Sequence, residues 1–115
     1  MEDDPAMLRG VGRLLRQYGF KAALFDSIEA FQDHADLDAA FCLVLDINLN
    51  DGSGIELRQR LSVRAASLPV IFITGNDSEA NRAAAIASGC IAYLTKPFAA
   101  QSLIASLEGV RAAAT

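Results

Sequence analysis

Apolar residues recur along this chain at two spacings, one typical of helices and the other of buried strands. The helical spacing over residues 7–18 follows Pro5 and ends at Gly19, which predicts a first helix. Continuous apolar runs predict strands, the first of them weak, at residues 21–25, 41–45, 70–73 and 91–94. Helical spacing returns between and after these runs, at about residues 27–35, 55–66, 78–88 and beyond Pro97.

Predicted strands and helices alternate along the chain, and the strands are apolar on both faces. This order is typical of a parallel sheet covered by helices on both sides, so the predicted fold class is a doubly wound α/β domain. A chain of 115 residues has room for one such domain. In sheets of this kind the functional site lies beyond the carboxyl ends of the strands.

Charge and composition narrow the choice of function. The net charge is -4 and no Lys/Arg cluster is present, which disfavours direct binding of nucleic acid. No run approaches the roughly 18 apolar residues of a membrane span, and the acidic start is unlike a signal peptide, so the expected location is cytoplasmic. Cys42 and Cys90 are expected to be free thiols, because the predicted strands place them about 9–10 Å apart, too far for a disulfide.

Polar side chains follow the predicted strands at the point where each strand ends. Asp46, Thr74 and Lys96 stand at three of these ends, and an acidic run, Glu2 to Asp4, precedes the first helix. Carboxylates gathered together bind a hard cation such as Mg²⁺, which would keep Asp46 ionised and neutralise an incoming phosphoryl group. A lysine and a hydroxyl could then hold phosphoryl oxygens.

Four segments, at residues 2–5, 43–57, 70–75 and 93–98, resemble the receiver domain of bacterial two-component response regulators. The resemblance covers essentially the whole chain, residues 1–115. Asp46 precedes Thr74 by 28 residues and Lys96 by 50. Any one of these motifs alone is weak evidence for the family, but four of them in this order are strong evidence. The resemblance implies a flavodoxin-like sheet with strand order 2-1-3-4-5.

The resemblance also implies a metal site and a phosphorylation site. Asp46 matches the phospho-acceptor, which receives its phosphoryl group from a histidine kinase or a phosphotransfer protein. Glu2 and Asp3 match the acidic pair that binds Mg²⁺, with Asp3 favoured as the direct ligand. The backbone carbonyl of Asn48 matches a further ligand of the metal.

The switch residues follow from the same resemblance. Thr74 and Lys96 match the pair that senses the phosphoryl group, and Tyr93 matches the aromatic residue whose ring turns inward when Thr74 moves. The helix at 78–88, the strand at 91–94 and the last helix match the surface that contacts an output domain or target protein. A homodimer through this surface is possible.

Two departures from the family pattern stand out. Asn50 occupies a position where the family usually has proline, at some cost in loop rigidity. More importantly, the hydrophobic strand that should precede the acidic pair is essentially absent, because Met1 directly precedes Glu2. Either the native chain starts upstream, or residues 21–25 pair directly with 41–45, or a strand comes from a second chain. An unrepaired gap is expected to leave Glu2 and Asp3 poorly anchored and Mg²⁺ binding weak.

Other interpretations of the same residues stay open. The acidic run could simply begin a helix, and Tyr93 could be a plain sheet-face aromatic. The chain could be a degenerate receiver that acts only as an interaction surface. It could also be a phosphatase with an aspartyl-phosphate intermediate, although such enzymes need a second Asp where this chain has Asn48. The favoured hypothesis is a phosphorylatable signalling module that is not a turnover enzyme.

Overall fold

The computed structural model describes residues 1–2, 4–34, 40–49, 51–61 and 68–114. Within these residues the helices are α1 (Pro5–Gln17), α2 (Ile28–His34), α3 (Gly54–Arg60), α4 (Glu79–Ala87) and α5 (Ala100–Ala114). The strands are β1 (Leu43–Asp46), β2 (Asn48–Leu49), β3 (Gly52–Ser53), β4 (Val70–Thr74) and β5 (Ala92–Thr95). From β1 onward the strands of the main sheet alternate with helices as predicted, whereas α1 and α2 follow one another without a strand between them.

A parallel sheet forms the centre of the molecule, in the order β1–β4–β5. Leu45 pairs with Phe72, and Phe72 pairs with Tyr93 on the other side. All five residues of β4 are buried, as expected for an apolar strand with neighbours on both edges. The predicted parallel α/β sheet is confirmed, and a short antiparallel β2–β3 hairpin follows β1.

Two apolar clusters cover the two faces of this sheet. Phe72 belongs to the first cluster, together with buried residues such as Leu45 and Leu57. The neighbouring Ile71 belongs to the second, together with Leu103 of α5. Because successive side chains of a strand point to opposite faces, this division shows helices packed on both sides of the sheet.

Side chains with a free oxygen cap the starts of three helices, and a glycine follows the end of the first. The Asp4 carboxylate accepts hydrogen bonds from the backbone at the start of α1, and Gly19, with φ of 82°, follows its end. Ser53 and Ser78 cap α3 and α4 in the same way. The later part of the predicted helix at 55–66 falls on residues 62–67, which lie outside the described residues, as does the last residue of the predicted helix at 27–35.

The predicted strand at 21–25 is not formed. No residue of this segment is in a β-ladder, and residues 21–24 are exposed. Met1 and Glu2 lie between this segment and β1 at one end. The Glu2 amide donates to the Phe25 carbonyl (3.1 Å), and the Met1 carbonyl accepts from the Asp46 amide (3.0 Å). Further along, a groove of about 480 Å³ separates the segment from β1, so the two do not pair directly.

Two expectations from composition can be compared with the structure. Cys42 and Cys90 are free thiols, as predicted, and burial raises the pKa of Cys42 to about 11. Among the described helices, none is long and apolar enough to cross a membrane.

Candidate functional site

Asp46 ends β1 and lies at the carboxyl edge of the sheet. Its exposed fraction is only 2%, and its Oδ1 accepts a hydrogen bond from the Asn48 amide at 2.9 Å. The β2–β3 hairpin folds back so closely that a Cβ at Gly54 would lie 2.2 Å from the Asp46 carbonyl oxygen. Glycine at position 54 is therefore what lets the hairpin close over the strand end that carries Asp46.

Lys96 follows β5 and crosses the edge of the sheet to the same place. Its Nζ lies 2.6 Å from Asp46 Oδ2 and 2.5 Å from Glu2 Oε2, and both carboxylates are buried. Partial burial alone would lower the pKa of Lys96, but hydrogen bonds and charge attraction from the two carboxylates raise it above its ordinary value. One ammonium thus compensates two buried carboxylates.

Thr74 ends β4, the strand between those that carry Asp46 and Lys96. It is fully buried, and its hydroxyl oxygen accepts hydrogen bonds from Asn48 Nδ2 (3.1 Å) and from the Asn76 amide (3.0 Å). The side chain of Asn48 was not singled out from the sequence, which pointed only to its backbone carbonyl. The available signal was its position in the loop after Asp46, since that edge also carries Thr74.

Tyr93 lies on β5, which β4 separates from the strand that carries Asp46. Its hydroxyl donates to Asp77 Oδ1 at 3.0 Å, and the guanidinium of Arg82 lies 4.8 Å from the ring centroid. Partial burial and the hydrogen bond to the Asp77 carboxylate raise the pKa of Tyr93. No spacing in the sequence points to Asp77 or Arg82, because loop and helix residues that meet only in three dimensions carry no spacing signal.

The acidic run at the start of the chain divides between two tasks. Glu2 points into the site, whereas Asp4 caps α1, and Asp3 lies outside the described residues. Within the described ranges, no three acidic, histidine or cysteine side chains gather into a metal-binding group. The buried Glu2 Oε2 is paired with the Lys96 ammonium, 2.5 Å away. Two buried carboxylates of this kind suit Mg²⁺, which prefers a few carboxylate ligands plus water or phosphate oxygens.

The parallel α/β fold agrees with the receiver domain that the sequence motifs resemble, and so does the comparison with known families. A model of the response regulator receiver domain matches residues 1–108. The chain belongs to the response regulator receiver domain family. Proteins of this family take part in phosphorylation-switched signalling in two-component systems, and the family generally binds Mg²⁺ at its phosphorylation site.

Curated relatives support this membership. The response regulator protein TmoT of Ectopseudomonas mendocina is 31% identical over 108 residues, which cover 94% of this chain and 49% of the relative. The transcriptional regulatory protein FixJ of Bradyrhizobium diazoefficiens is 32% identical over 94% of this chain and 53% of its own length. The chain thus spans about half the length of these relatives.

Solved structures confirm the flavodoxin-like fold. The response regulator StyR matches with a TM-score of 0.84 and 34% identity, over 95% of this chain and 55% of that one. A response regulator receiver protein from Pseudoalteromonas atlantica matches with a TM-score of 0.90 over 99% of this chain and 95% of that one, and at 22% identity it supports the fold alone.

Proposed function

We propose that residues 1–115 form a receiver domain that accepts a phosphoryl group on Asp46 and relays its presence through Thr74 and Tyr93. The observation that carries this proposal is the buried Asp46 carboxylate with the Lys96 ammonium 2.6 Å away. A buried carboxylate held by a single mobile cation is an available nucleophile, because the cation can move to the group that is transferred.

The transfer step is a direct displacement between the phosphorylated donor and Asp46. An Asp46 oxygen attacks the phosphorus of a phosphohistidine on a histidine kinase or phosphotransfer protein. The new P–O bond forms as the P–N bond breaks, and the departing imidazole takes a proton from solvent. The product is an acyl phosphate on Asp46, so the domain carries the phosphoryl group and does not turn over an external substrate.

Lys96 is proposed to follow the charge. Before transfer its ammonium binds Glu2 and Asp46, and afterwards it can bind a phosphoryl oxygen without leaving the strand end. Its raised pKa keeps it protonated across the physiological range. The pairing with two carboxylates also explains how both can be buried before any phosphoryl group arrives.

Mg²⁺ is the proposed cofactor, and when bound it would neutralise charge on the transferred group and keep Asp46 ionised. Glu2, Asp46 and the backbone carbonyl of Asn48 would hold it, together with Asp3. Water and phosphoryl oxygens would complete the coordination. Anchoring of Glu2 supports this assignment, because its amide is hydrogen-bonded to Phe25 at the edge of the groove.

The relay is proposed to begin at Thr74. Its hydroxyl accepts two hydrogen bonds at rest, so its own hydrogen remains available for donation to a phosphoryl oxygen on Asp46. Movement of Thr74 toward that oxygen would draw the loop after β4 with it and free space for the ring of Tyr93. An output domain or a separate target protein would detect the rearranged surface.

Intact mass after incubation with acetyl phosphate and Mg²⁺ tests the proposal. The wild-type chain is expected to gain one phosphoryl group, and Asp46→Asn is expected to gain none. Asp51→Asn is the matched control, because the Asp51 carboxylate accepts hydrogen bonds from the Ile28 and Glu29 amides at the start of α2, and it should label like the wild type. Absence of labelling in all three proteins would contradict the phosphorylation proposal and leave a receiver that acts only as a binding module.

A further inference from the structure

Two side chains hold the ring of Tyr93. The Tyr93 hydroxyl donates to Asp77 Oδ1 at 3.0 Å, while the Arg82 guanidinium donates to Asp77 Oδ2 at 3.1 Å. The same guanidinium lies 4.8 Å from the centre of the Tyr93 ring. Each of the three groups therefore contacts the other two, and the carboxylate of Asp77 is shared between both donors.

The three groups come from three different elements. Tyr93 lies on β5, Arg82 on α4, and Asp77 in the loop that joins β4 to α4. This loop directly follows Thr74, and the Asn76 amide within it donates a hydrogen bond to the Thr74 hydroxyl oxygen at 3.0 Å. A displacement of Thr74 would therefore move the loop that carries Asp77 and loosen its contacts with Tyr93.

We propose that Asp77 and Arg82 are positioning residues that form a latch, holding Tyr93 at the surface until Thr74 moves. The inference rests on the proposed function, in which Thr74 and Tyr93 relay phosphorylation. The latch opposes the switched conformation at rest. Movement of Thr74 would release the latch through the loop that carries Asp77. Thr74 and Tyr93 would therefore change position together.

The strength of the latch follows from its exposure. The Asp77 and Arg82 side chains are 44% and 51% exposed, so their ion pair by itself adds little. The hydrogen bond from Tyr93 is charge-assisted, and the guanidinium over the ring adds a cation–π contact. Removing Asp77 eliminates both of its hydrogen bonds and is expected to raise the switched population about three- to tenfold.

Fluorine NMR can measure the position of the Tyr93 ring directly. The chain has two tyrosines, so Tyr18→Phe leaves Tyr93 as the single site for 3-fluorotyrosine. The change in fluorine shift between H₂O and D₂O reports the exposure of the ring. Asp77→Ala is compared with Asp77→Asn, which keeps an acceptor for the hydroxyl, and with Arg82→Ala, all without phosphorylation.

Glu79→Ala is the matched control, since Glu79 is an exposed carboxylate in the first turn of α4 that contacts no described part of the latch. The latch predicts a smaller solvent shift in Asp77→Ala than in the parent or in Glu79→Ala, with a lesser change in Asp77→Asn. It also predicts that Arg82→Ala adds little once Asp77 is absent, because the two act as a unit. An unchanged solvent shift in Asp77→Ala would overturn the latch.

The two proposals fail in different ways. The fluorine measurement uses unphosphorylated protein, so it tests the latch even if Asp46 never accepts a phosphoryl group. If the parent labels with acetyl phosphate, the latch further predicts about three- to tenfold more phosphorylated protein in Asp77→Ala at subsaturating donor. The reason is that phosphorylation favours the switched state, so a substitution that favours the switched state also favours phosphorylation. Equal labelling of the two proteins would contradict the link between the latch and Asp46.

Discussion

Two segments of this molecule that the sequence predicts as strands differ completely in burial. Residues 70–74 (Val-Ile-Phe-Ile-Thr) form β4 and are buried without exception, whereas residues 21–24 (Lys-Ala-Ala-Leu) are exposed and form no strand. β4 has a hydrogen-bonded neighbour on each edge. The segment at 21–25 faces a groove, and among the described residues its backbone hydrogen bond to another part of the chain is the one from the Glu2 amide to the Phe25 carbonyl. β1 and β5 each pair with one neighbouring strand, whereas residues 21–25 pair with none, so a paired neighbour is what separates the apolar segments that become strands from the one that does not.

The groove has the character of an unfilled strand position. Leu43 donates to Pro69 on the β4 side, so the alternate residues Val44 and Asp46 present their backbone groups to the groove. Met1 uses two of these groups, through its amino nitrogen to the Val44 carbonyl and its carbonyl to the Asp46 amide. The free edge of β1 is therefore hydrogen-bonded to Met1 beside Asp46. The rest of that edge faces the groove.

The largest expected effect comes from filling the groove. Joining about four aliphatic residues to the Met1 nitrogen should raise the free energy of unfolding by about 4 kcal/mol. Each buried side chain contributes about 1.5–3 kcal/mol, offset by about 1–2 kcal/mol for ordering each residue, and new ladder hydrogen bonds add the remainder. Urea denaturation followed by circular dichroism measures the change. A Gly/Ser extension of equal length is the control, and equal stability of the two proteins would show that the groove is not a strand site.

Matched leucine substitutions compare the two regions next. Leu45 on β1 is 1% exposed, and Leu24 at the groove is 37% exposed. Leu45→Ala should cost about 3 kcal/mol, because a closed core cannot collapse around the deleted methyl groups. Leu24→Ala should cost about 1 kcal/mol or less, since water already reaches that side chain. Urea midpoints measure both, and equal losses would mean that residues 21–25 are as well packed as β1.

The burial of Met1 makes the open region sensitive to pH. Burial lowers the pKa of the amino terminus to about 6, from 8.0 when exposed. Between these values the unfolded chain binds more protons than the folded one, so stability should rise with pH, by about 2 kcal/mol from pH 6 to pH 8. The stabilisation is present above pH 8 and lost as the pH falls through 6. Urea midpoints measured across this range report it.

Nα-acetylation is the control for this titration. It removes the ionisable amine and keeps one N–H to donate to the Val44 carbonyl, so the acetylated chain should show a flatter profile between pH 6 and pH 8. Both chains contain the same single histidine, His34, so the comparison isolates the amino terminus. Identical slopes for the two proteins would show that the amino terminus is solvated in the folded state.

Sequence predicted what depends on local pattern and chain order. The apolar run at 70–73 specified β4, and the strand-end positions of Asp46, Thr74 and Lys96 placed them at one edge, because parallel strands end on the same side. Residues 21–25 were predicted wrongly because their apolar pattern says nothing about whether a neighbouring strand exists. A strand prediction from pattern is conditional on partners that the pattern does not contain.

Side-chain direction was the second limit of the sequence. Glu2 and Asp4 are both acidic and two residues apart, yet one binds Lys96 and the other caps α1. The Glu2 backbone is fixed by its hydrogen bond to Phe25, and the Asp4 backbone is fixed by the start of α1, so the two side chains point in different directions. The contact of Tyr93 with Asp77 was equally unreadable, since it joins residues that are 16 positions apart in a loop and a strand.

The smallest expected effect concerns the closed region, at the hydrogen bond between Asn48 and Thr74. Asn48→Ala should lower the free energy of unfolding by about 1 kcal/mol, because the buried Thr74 hydroxyl loses one of its two donors. Asn76→Ala is the control: the donor at that position is the backbone amide, which alanine retains, so its cost should stay within about 0.5 kcal/mol. Equal costs for the two substitutions would mean that the Asn48 side chain does not hold Thr74 at rest, and that the backbone amide alone fixes its hydroxyl.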